Sequence, residues 1–336
     1  MPTLAPSWLK VFLAVAEHGS FNKAAETLLL SQPAVSQKIR QLEISLGAQL
    51  FERTPHGARL TREGEILQRY AHAIRWLLLA AEANITNPQQ TVRQRLELGG
   101  TPTLAGYCLP PWLKAFHHRH PNILVHLRTD TTSRLVDSIA RHALHLAIIE
   151  GQLPEESTVA YTVLQEIPFY AVAPAEPPWT HYERLPLQAL HGQPFVARPP
   201  EAHTRRWMDK IFAQHHIQPR VVAELDSPDA IKEAVSHGLG VTLLPRCMLR
   251  EEDKNPHLHI MEIEGMLLKR YLKAIWPKDV PLHPSALAFM EVLQEEFPHL
   301  DAIIQQARHP DLGTLYNLLE NAQHAQPQPH FGAQDA

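Results

Sequence analysis

The chain has 336 residues, 44% of them hydrophobic and 20% charged, with a formal net charge of −4. That balance excludes a disordered polyelectrolyte and fits more than one globular domain. No run of ~18 apolar residues is present to form a membrane-spanning helix, so no membrane partner is expected. The two cysteines, Cys108 and Cys247, exclude a framework of disulfides and suit a reducing cytoplasm. The first residues lack a basic leader and a small-residue cleavage site, so export is not expected. Residues 1–95 carry 11 Lys/Arg against 7 Asp/Glu, and the remainder carries 20 against 28. A mildly basic head on an acidic body is the pattern of a small nucleic-acid-binding module attached to something else.

The first 60 residues read as short helices with sharp punctuation. Trp8, Leu9, Phe12, Leu13, Val15 and Ala16 line one face of a helix over 6–17, which His18-Gly19 ends. Ser20 caps a second helix from Phe21 to about Leu28. Ser31 caps a third, with Pro33 in its first turn, apolar Val35, Ile39, Leu42 and Leu46, and Gly47 closing it. Two helices joined by a short turn and braced by a preceding helix make a helix-turn-helix. Pro55-His56-Gly57 then predicts the turn of a small hairpin, a wing. From Arg62 to about Asn84 a long helix carries Leu67, Ile74, Leu77, Leu78 and Ala81 as a narrow apolar stripe, which a second copy of the chain would cover.

Asn87-Pro88-Gln89-Gln90 is a break, read as a hinge. Beyond it strands and helices alternate, the mark of an α/β domain. Strands are expected at Arg95–Gly99, Ile123–Arg128, Leu146–Ile149, Phe169–Ala173, Phe195–Ala197, Val221–Leu225, Val241–Leu244 and Tyr271–Trp276. Helices are expected at Pro110–His120, Thr132–His142, Pro228–His237 and His283–Phe297. The tail from about His309 holds one candidate helix, Leu312–Ala322. It ends in a Gln/Pro/His-rich stretch that cannot bury a core and is expected to be disordered.

The third helix opens SQPAVSQKIRQLE. An α-helix fits the major groove of B-DNA, and its first turn reads base edges. Gln32, Ser36 and Gln37 lie on the exposed early face, and Pro33 and Ala34 are small enough for close approach or for a thymine methyl. Lys38 and Arg40 suit phosphates, as do Arg53 and Arg59 in the wing. On these residues alone, a polar surface helix in an ordinary helical domain stands as the alternative.

The stretch AVAEHGSFNKAAETLLLSQPAVSQKIRQLEISLGAQLFERTPHGARLTREG resembles the N-terminal domain of LysR-type transcription regulators. The likeness rests on Gly19-Ser20-Phe21, Ala24-Ala25, Ser31-Gln32-Pro33, Ser36, Ile39, Leu42-Glu43, Leu46-Gly47, Leu50-Phe51, Arg53 and Thr61-Glu63-Gly64. It implies base contacts at Gln32, Pro33, Ser36 and Gln37, with Arg53 reaching the minor groove. In much of the family the Gln37 position is Arg. The remainder is similar to the family's periplasmic-binding-protein-like effector domain, two α/β subdomains with a cleft between them. The implied division is 1–62 for the winged helix-turn-helix and 63–92 for the linker helix and hinge. The effector domain takes 93–308 (93–164 plus 268–308, and 165–267), and 309–336 is a C-terminal extension. Crossings between subdomains are expected near Tyr161–Phe169 and after Pro256.

Ligands of α/β sheets gather at strand C-terminal ends, where helix N-termini point. Thr101 and Thr103 follow the first strand, Asp130, Thr131 and Thr132 the second, and Glu150-Gly151 the third. Arg198, Pro199 and Thr204 approach from the second subdomain, with Arg198 the candidate partner of an anion. A threonine at a helix start also serves as a simple cap, and Asp226 reads as the cap of the 228–237 helix. LAIIEG together with Thr131-Thr132 is similar to the branch containing regulators of carbon-fixation operons, whose effectors are phosphorylated metabolites or nicotinamide cofactors. This chain has His145 where that branch usually has Asp, and its Asp130-Thr131-Thr132 loop lacks the Gly-Asn pair.

An enzyme is disfavoured. No metal-protease, P-loop or nucleophile-elbow motif is present, and His117, His118 and His120 do not converge from one helix. No cofactor or metal is expected. A solute-binding transport protein shares the cleft but not the head. The sequence thus predicts a regulator binding double-stranded promoter DNA as a dimer of dimers and a small, anionic effector. RNA polymerase is a further partner if the regulator activates.

Overall fold

The computed structural model describes residues 5–54, 57–85, 95–153, 159–249, 255–278 and 282–308. In the head, α1 (Pro6–His18) ends on Gly19 at φ 58°, a left-handed conformation that costs glycine nothing. The Ser20 hydroxyl accepts from the Lys23 N–H at 3.4 Å and starts α2 (Phe21–Leu28). Ser31 accepts from Ala34 N–H at 3.3 Å and starts α3 (Gln32–Leu46). Strands β1 (Phe51–Thr54) and β2 (Gly57–Leu60) pair antiparallel as the wing. Pro55 and His56 at its tip lie outside the described residues.

Phe12, Val35, Ile39, Leu42, Leu50 and Phe51 form the head core, with the Phe12 and Phe51 rings 5.3 Å apart. Ala24 and Ala25 are buried there, so the small residues serve close helix packing. Polar residues fix the wing to the helices. Glu43 Oε1 accepts from Leu50 N–H at 2.8 Å and Phe51 N–H at 3.4 Å. Thr61 Oγ1 donates to Gln49 O at 2.6 Å and accepts from Gly64 N–H at 3.0 Å. A Cβ on Gly64 would stand 2.2 Å from the Leu50 carbonyl oxygen.

Helix α4 runs from Arg62 to Ile85. Its stripe divides in a way the periodicity did not foresee. Leu67 and Ala71 are buried in the head core and Ile74 packs against it. Leu78 is exposed, while the side chains of Leu77 and Ala81 lie outside the described residues, as does the break at 87–90. The first part of the stripe is therefore used within the chain.

The body begins with β3 (Arg95–Gly100), α5 (Pro102–Tyr107), α6 (Leu109–Arg119), β4 (Leu124–Thr129), α7 (Thr132–Ala140) and β5 (Leu146–Glu150). Strands β4 and β5 flank β3 in parallel. Strand β5 is buried along its length, as expected of a parallel strand covered on both faces. Next come β6 (Val159–Pro174), β7 (Arg184–Leu185), β8 (Pro194–Ala197), α8 (His203–Gln214), β9 (Arg220–Glu224), α9 (Pro228–Ser236), β10 (Thr242–Pro245) and β11 (Leu258–Ile263). Strand β12 (Lys269–Pro277) and helices α10 (Pro284–Leu293) and α11 (Asp301–Arg308) complete the described chain. The sheet order is β4-β3-β5-β12-β6-β11-β7, with β10 also on β6, and β8 pairs β9 in parallel. The first part of β6 pairs with β12, and its last residues pair with β10 and β11. One continuous strand thus joins the two halves of the body.

Four points differ from the sequence reading. The strand read at Phe169–Ala173 is the end of the 16-residue β6, masked in the sequence by Gln165, Glu166 and Pro168. Helix α8 was not foreseen. Ser227, rather than Asp226, caps α9: with Pro228 in the first turn, its hydroxyl accepts from Ala230 N–H at 3.4 Å. The last long helix stops at Leu293 rather than Phe297, and Phe297, before Pro298, is held out of helical geometry at φ −124° and ψ 75°. The extension from His309 lies outside the described residues.

Head and body meet where the His72 ring of α4 lies 4.9 Å from that of His142. Beside them His145 stacks on His283 at 3.7 Å. Burial, then neighbouring positive groups, lower His72 and His145 to about 2 and His283 to about 3.

Candidate nucleic-acid interface and effector cavity

Capping by Ser31 places the first turn of α3 at the surface. Gln32, Pro33, Gln37 and Arg40 are exposed, and Ala34, Ser36 and Lys38 are half-buried. Gln32 Nε2 donates to Ser36 Oγ at 2.8 Å, so these two polar side chains already point to one place. On the wing Arg59 is exposed, and the Arg53 side chain lies outside the described residues. Leu29, 93% exposed at φ 53°, marks the tight turn before α3.

In the body, a cavity open to solvent on one side lies between the two halves, with about 690 Å³ of empty space when that open solvent is included. It gathers Thr101 and Thr103 at α5, Thr131 and Thr132 at α7, Glu150 at the end of β5, and Arg198 and Thr204 from the facing half. Pro199 is not among its lining residues. The sequence reading missed Phe169, His203, Met208, Ile231 and the β10 segment Thr242–Pro245, which complete the walls. The helical spacing of Trp207, Met208, Ile211 and Phe212 was the available signal for α8 and hence for His203.

The N-terminal ends of α7, α8 and α9 all reach this cavity, through Thr132, His203 and Pro228. The helix dipole makes such ends favourable to anions; α7 and α8 add first-turn N–H groups, whereas in α9 Pro228 has none and Ser227 takes that of Ala230. Arg198 adds a guanidinium, which donates to the Asp226 carbonyl. Burial lowers its pKa while Asp226, Glu150 and Glu201 oppose that shift. His203 Nε2 lies 3.0 Å from Ser133 Oγ; burial and then Arg206 and Arg270 lower its pKa, favouring neutral imidazole.

Below the cavity a buried ion pair fixes Glu150. Arg270 Nη1 lies 3.3 Å from Glu150 Oε1, and Nη2 donates to the Glu150 carbonyl at 3.1 Å. Thr204 Oγ1 donates to Glu150 Oε1 at 3.2 Å and accepts from Arg270 Nη1 at 2.6 Å. Glu150 Oε2 and Thr101 Oγ1 are buried and, among the described residues, have no hydrogen-bond partner. Thr101 and Thr131 occupy helix N-cap positions without a side-chain capping bond, so capping does not engage their hydroxyls.

Comparison with known families decides the identity of this arrangement. The family described as "LysR substrate binding domain" matches residues 89–298. The family described as "Bacterial regulatory helix-turn-helix protein, lysR family" matches residues 6–65. The chain belongs to the LysR family of bacterial transcription regulators. This LysR-type regulator is 33% identical over 285 residues to the RuBisCO operon transcriptional regulator of Acidithiobacillus ferrooxidans, covering 85% of this chain and 92% of that one. Its fold matches a full-length OxyR variant from Pseudomonas aeruginosa with TM-score 0.71 at 23% identity, over 88% of this chain and 95% of that one. The regulatory domain of Synechocystis CcmR in complex with 2-PG matches with TM-score 0.56 at 25% identity, over 61% of this chain and 97% of that one. The regulator therefore has a DNA-binding head and an effector domain, and its relatives are transcriptional regulators rather than enzymes. Among the described residues, no helix is long and apolar enough to cross a membrane.

Proposed function

We propose that this regulator reads a promoter pseudo-palindrome as a dimer of dimers and responds to a small anion held in the cavity. The observation that carries the effector reading is the convergence of three helix N-termini and Arg198 on one cavity. Thr101, Thr103, Thr131, Thr132, Glu150 and Thr204 supply polar contacts. Binding of 2-PG by the similar CcmR domain supports an anionic ligand. Pro199, away from the lining, has no contact role in this reading.

On the DNA side, Gln32, Pro33, Ala34, Ser36 and Gln37 face base edges, with Lys38, Arg40, Arg53 and Arg59 on the backbone or minor groove. The head comprises 1–62 and the linker 63–92. The effector domain comprises 93–308, with subdomains 93–164 plus 268–308 and 165–267. The residues of α4 beyond Ile74 pair heads on half-sites whose spacing follows the helical repeat. The protein works in the cytoplasm, and RNA polymerase is a partner if it activates. The effector changes transcription by preferring one arrangement of the heads.

The test is binding to a fluorescent fragment from upstream of the coding region, with competitor DNA present. A Gln32→Ala/Ser36→Ala variant should lose specific binding and keep its fold by circular dichroism. An empty genome-wide selection of bound fragments would overturn the reading.

A further inference from the structure

Resting on the cavity reading, we infer that the effector carries, beside its acidic group, a hydrogen-bond donor directed at Glu150 Oε2. The Glu150 wall of the cavity differs in chemistry from the rest of its polar lining. Helix N-termini, Arg198 and threonine hydroxyls can donate to an anion. Glu150 presents instead a carboxylate whose two oxygens are used unequally. Oε1 is engaged by Arg270 and Thr204, and Oε2 has no partner among the described residues. The Glu150 side chain is 6% exposed. That oxygen is closed to solvent and unsatisfied without a ligand, so an effector that brings a donor within its reach relieves the cost of leaving it unpaired.

The ion pair cannot turn to remove the problem. Arg270 is held from two sides, by the Glu150 carbonyl and Thr204, and its guanidinium lies 5.7 Å from the Trp207 ring centroid. A Cβ on Gly151 would sit 2.1 Å from Arg270 Nη2, so the glycine leaves room for this seating. Oε2 is therefore an acceptor held at the Glu150 wall of the cavity. It disfavours an anion that only accepts, through both repulsion and the unmet hydrogen bond. Thr101 Oγ1, likewise buried and unpartnered, can accept from the same donor or donate to the acidic group. The ligand class is a small acid bearing a hydroxyl or ammonium group near its charge.

The experiment compares three anions on one skeleton by calorimetry with the full chain: 3-phosphoglycerate, O-phosphoserine and 3-(phosphonooxy)propionate, the phosphate ester of 3-hydroxypropionate. They carry a hydroxyl, an ammonium and a hydrogen at the same carbon. The hydroxyl or the ammonium compound should bind on the order of tenfold or more tightly than the ester without a donor, and which of the two wins identifies the donor. In Glu150→Gln, whose amide can donate, that advantage should shrink; Thr101→Val, which keeps the Arg270 pair, should retain a preference for a donor. Equal binding of all three, abolished by the cavity-filling Ile231→Trp, overturns the donor inference and leaves the cavity reading standing. Binding indifferent to Ile231→Trp, or no binding of any of the three at millimolar concentration, overturns both.

Discussion

Arg270 and Glu150 form a buried ion pair across the end of β5 and the start of β12, with side chains only 3% and 6% exposed. Removing one partner strands the other charge in a dry setting. Arg270→Met should cost about 3–5 kcal/mol in urea unfolding. Pairing it with Glu150→Leu should recover most of that loss, because two apolar groups replace two charges. A double variant as unstable as the single one would show that the pair is held for other reasons.

The head offers a test that leaves the cavity untouched. Gly64 sits against the Leu50 carbonyl with no room for a Cβ. Gly64→Ala should push α4 away from the wing, cost about 1–3 kcal/mol as an overpacked site, and abolish operator binding. Ligand binding by the effector domain should be unchanged, read by calorimetry on the same preparation.

Charge contacts to DNA are separable from base reading. Arg40→Ala and Arg59→Ala should each weaken specific and non-specific binding alike and reduce the salt slope of log K by about 1. Gln37→Ala should instead relax preference at one position of the site, measured by selection from randomised half-sites. A salt slope unchanged in either arginine variant would remove that residue from the interface.

The histidines at the junction of head and body predict acid sensitivity. His72, His145 and His283 are lowered from 6.5 to about 2, 2 and 3, chiefly by burial. The folded state holds them neutral, and the unfolded state takes up protons once pH falls below about 6.5. Stability should therefore be flat above that value and decline below it, on the order of 1.4 kcal/mol per histidine for the first unit. Chemical denaturation at pH 7.5 and 5.5 checks this. His283→Asn should shallow the slope, and an identical slope would exclude it as a contributor.

The head was legible because its boundaries are written by local chemistry. Ser20 and Ser31 cap, and Gly19 and Gly47 terminate, within one helical turn of the groups they satisfy. The cavity threonines were legible for a similar reason, lying at junctions between strand and helix. Other features depended on distant partners. The length of β6 is set by β12, more than 90 residues further along, and overrides the Pro168 signal. Arg270 was not singled out, since a basic residue in an edge-like segment gives no hint that Glu150 waits 120 positions earlier. His203 was lost with α8, whose four apolar positions sit among Arg, Lys, His and Gln.

The way α4 begins bears on how this protein can be cut and recombined. Leu67, Ala71 and Ile74 complete the core of the head although they lie past the wing. A hybrid joined at residue 62 would lack these three side chains and leave part of the head core uncovered. Anyone transplanting this reader onto a different sensor should place the seam beyond Arg75, which still pairs with Glu17 of α1 at 3.3 Å.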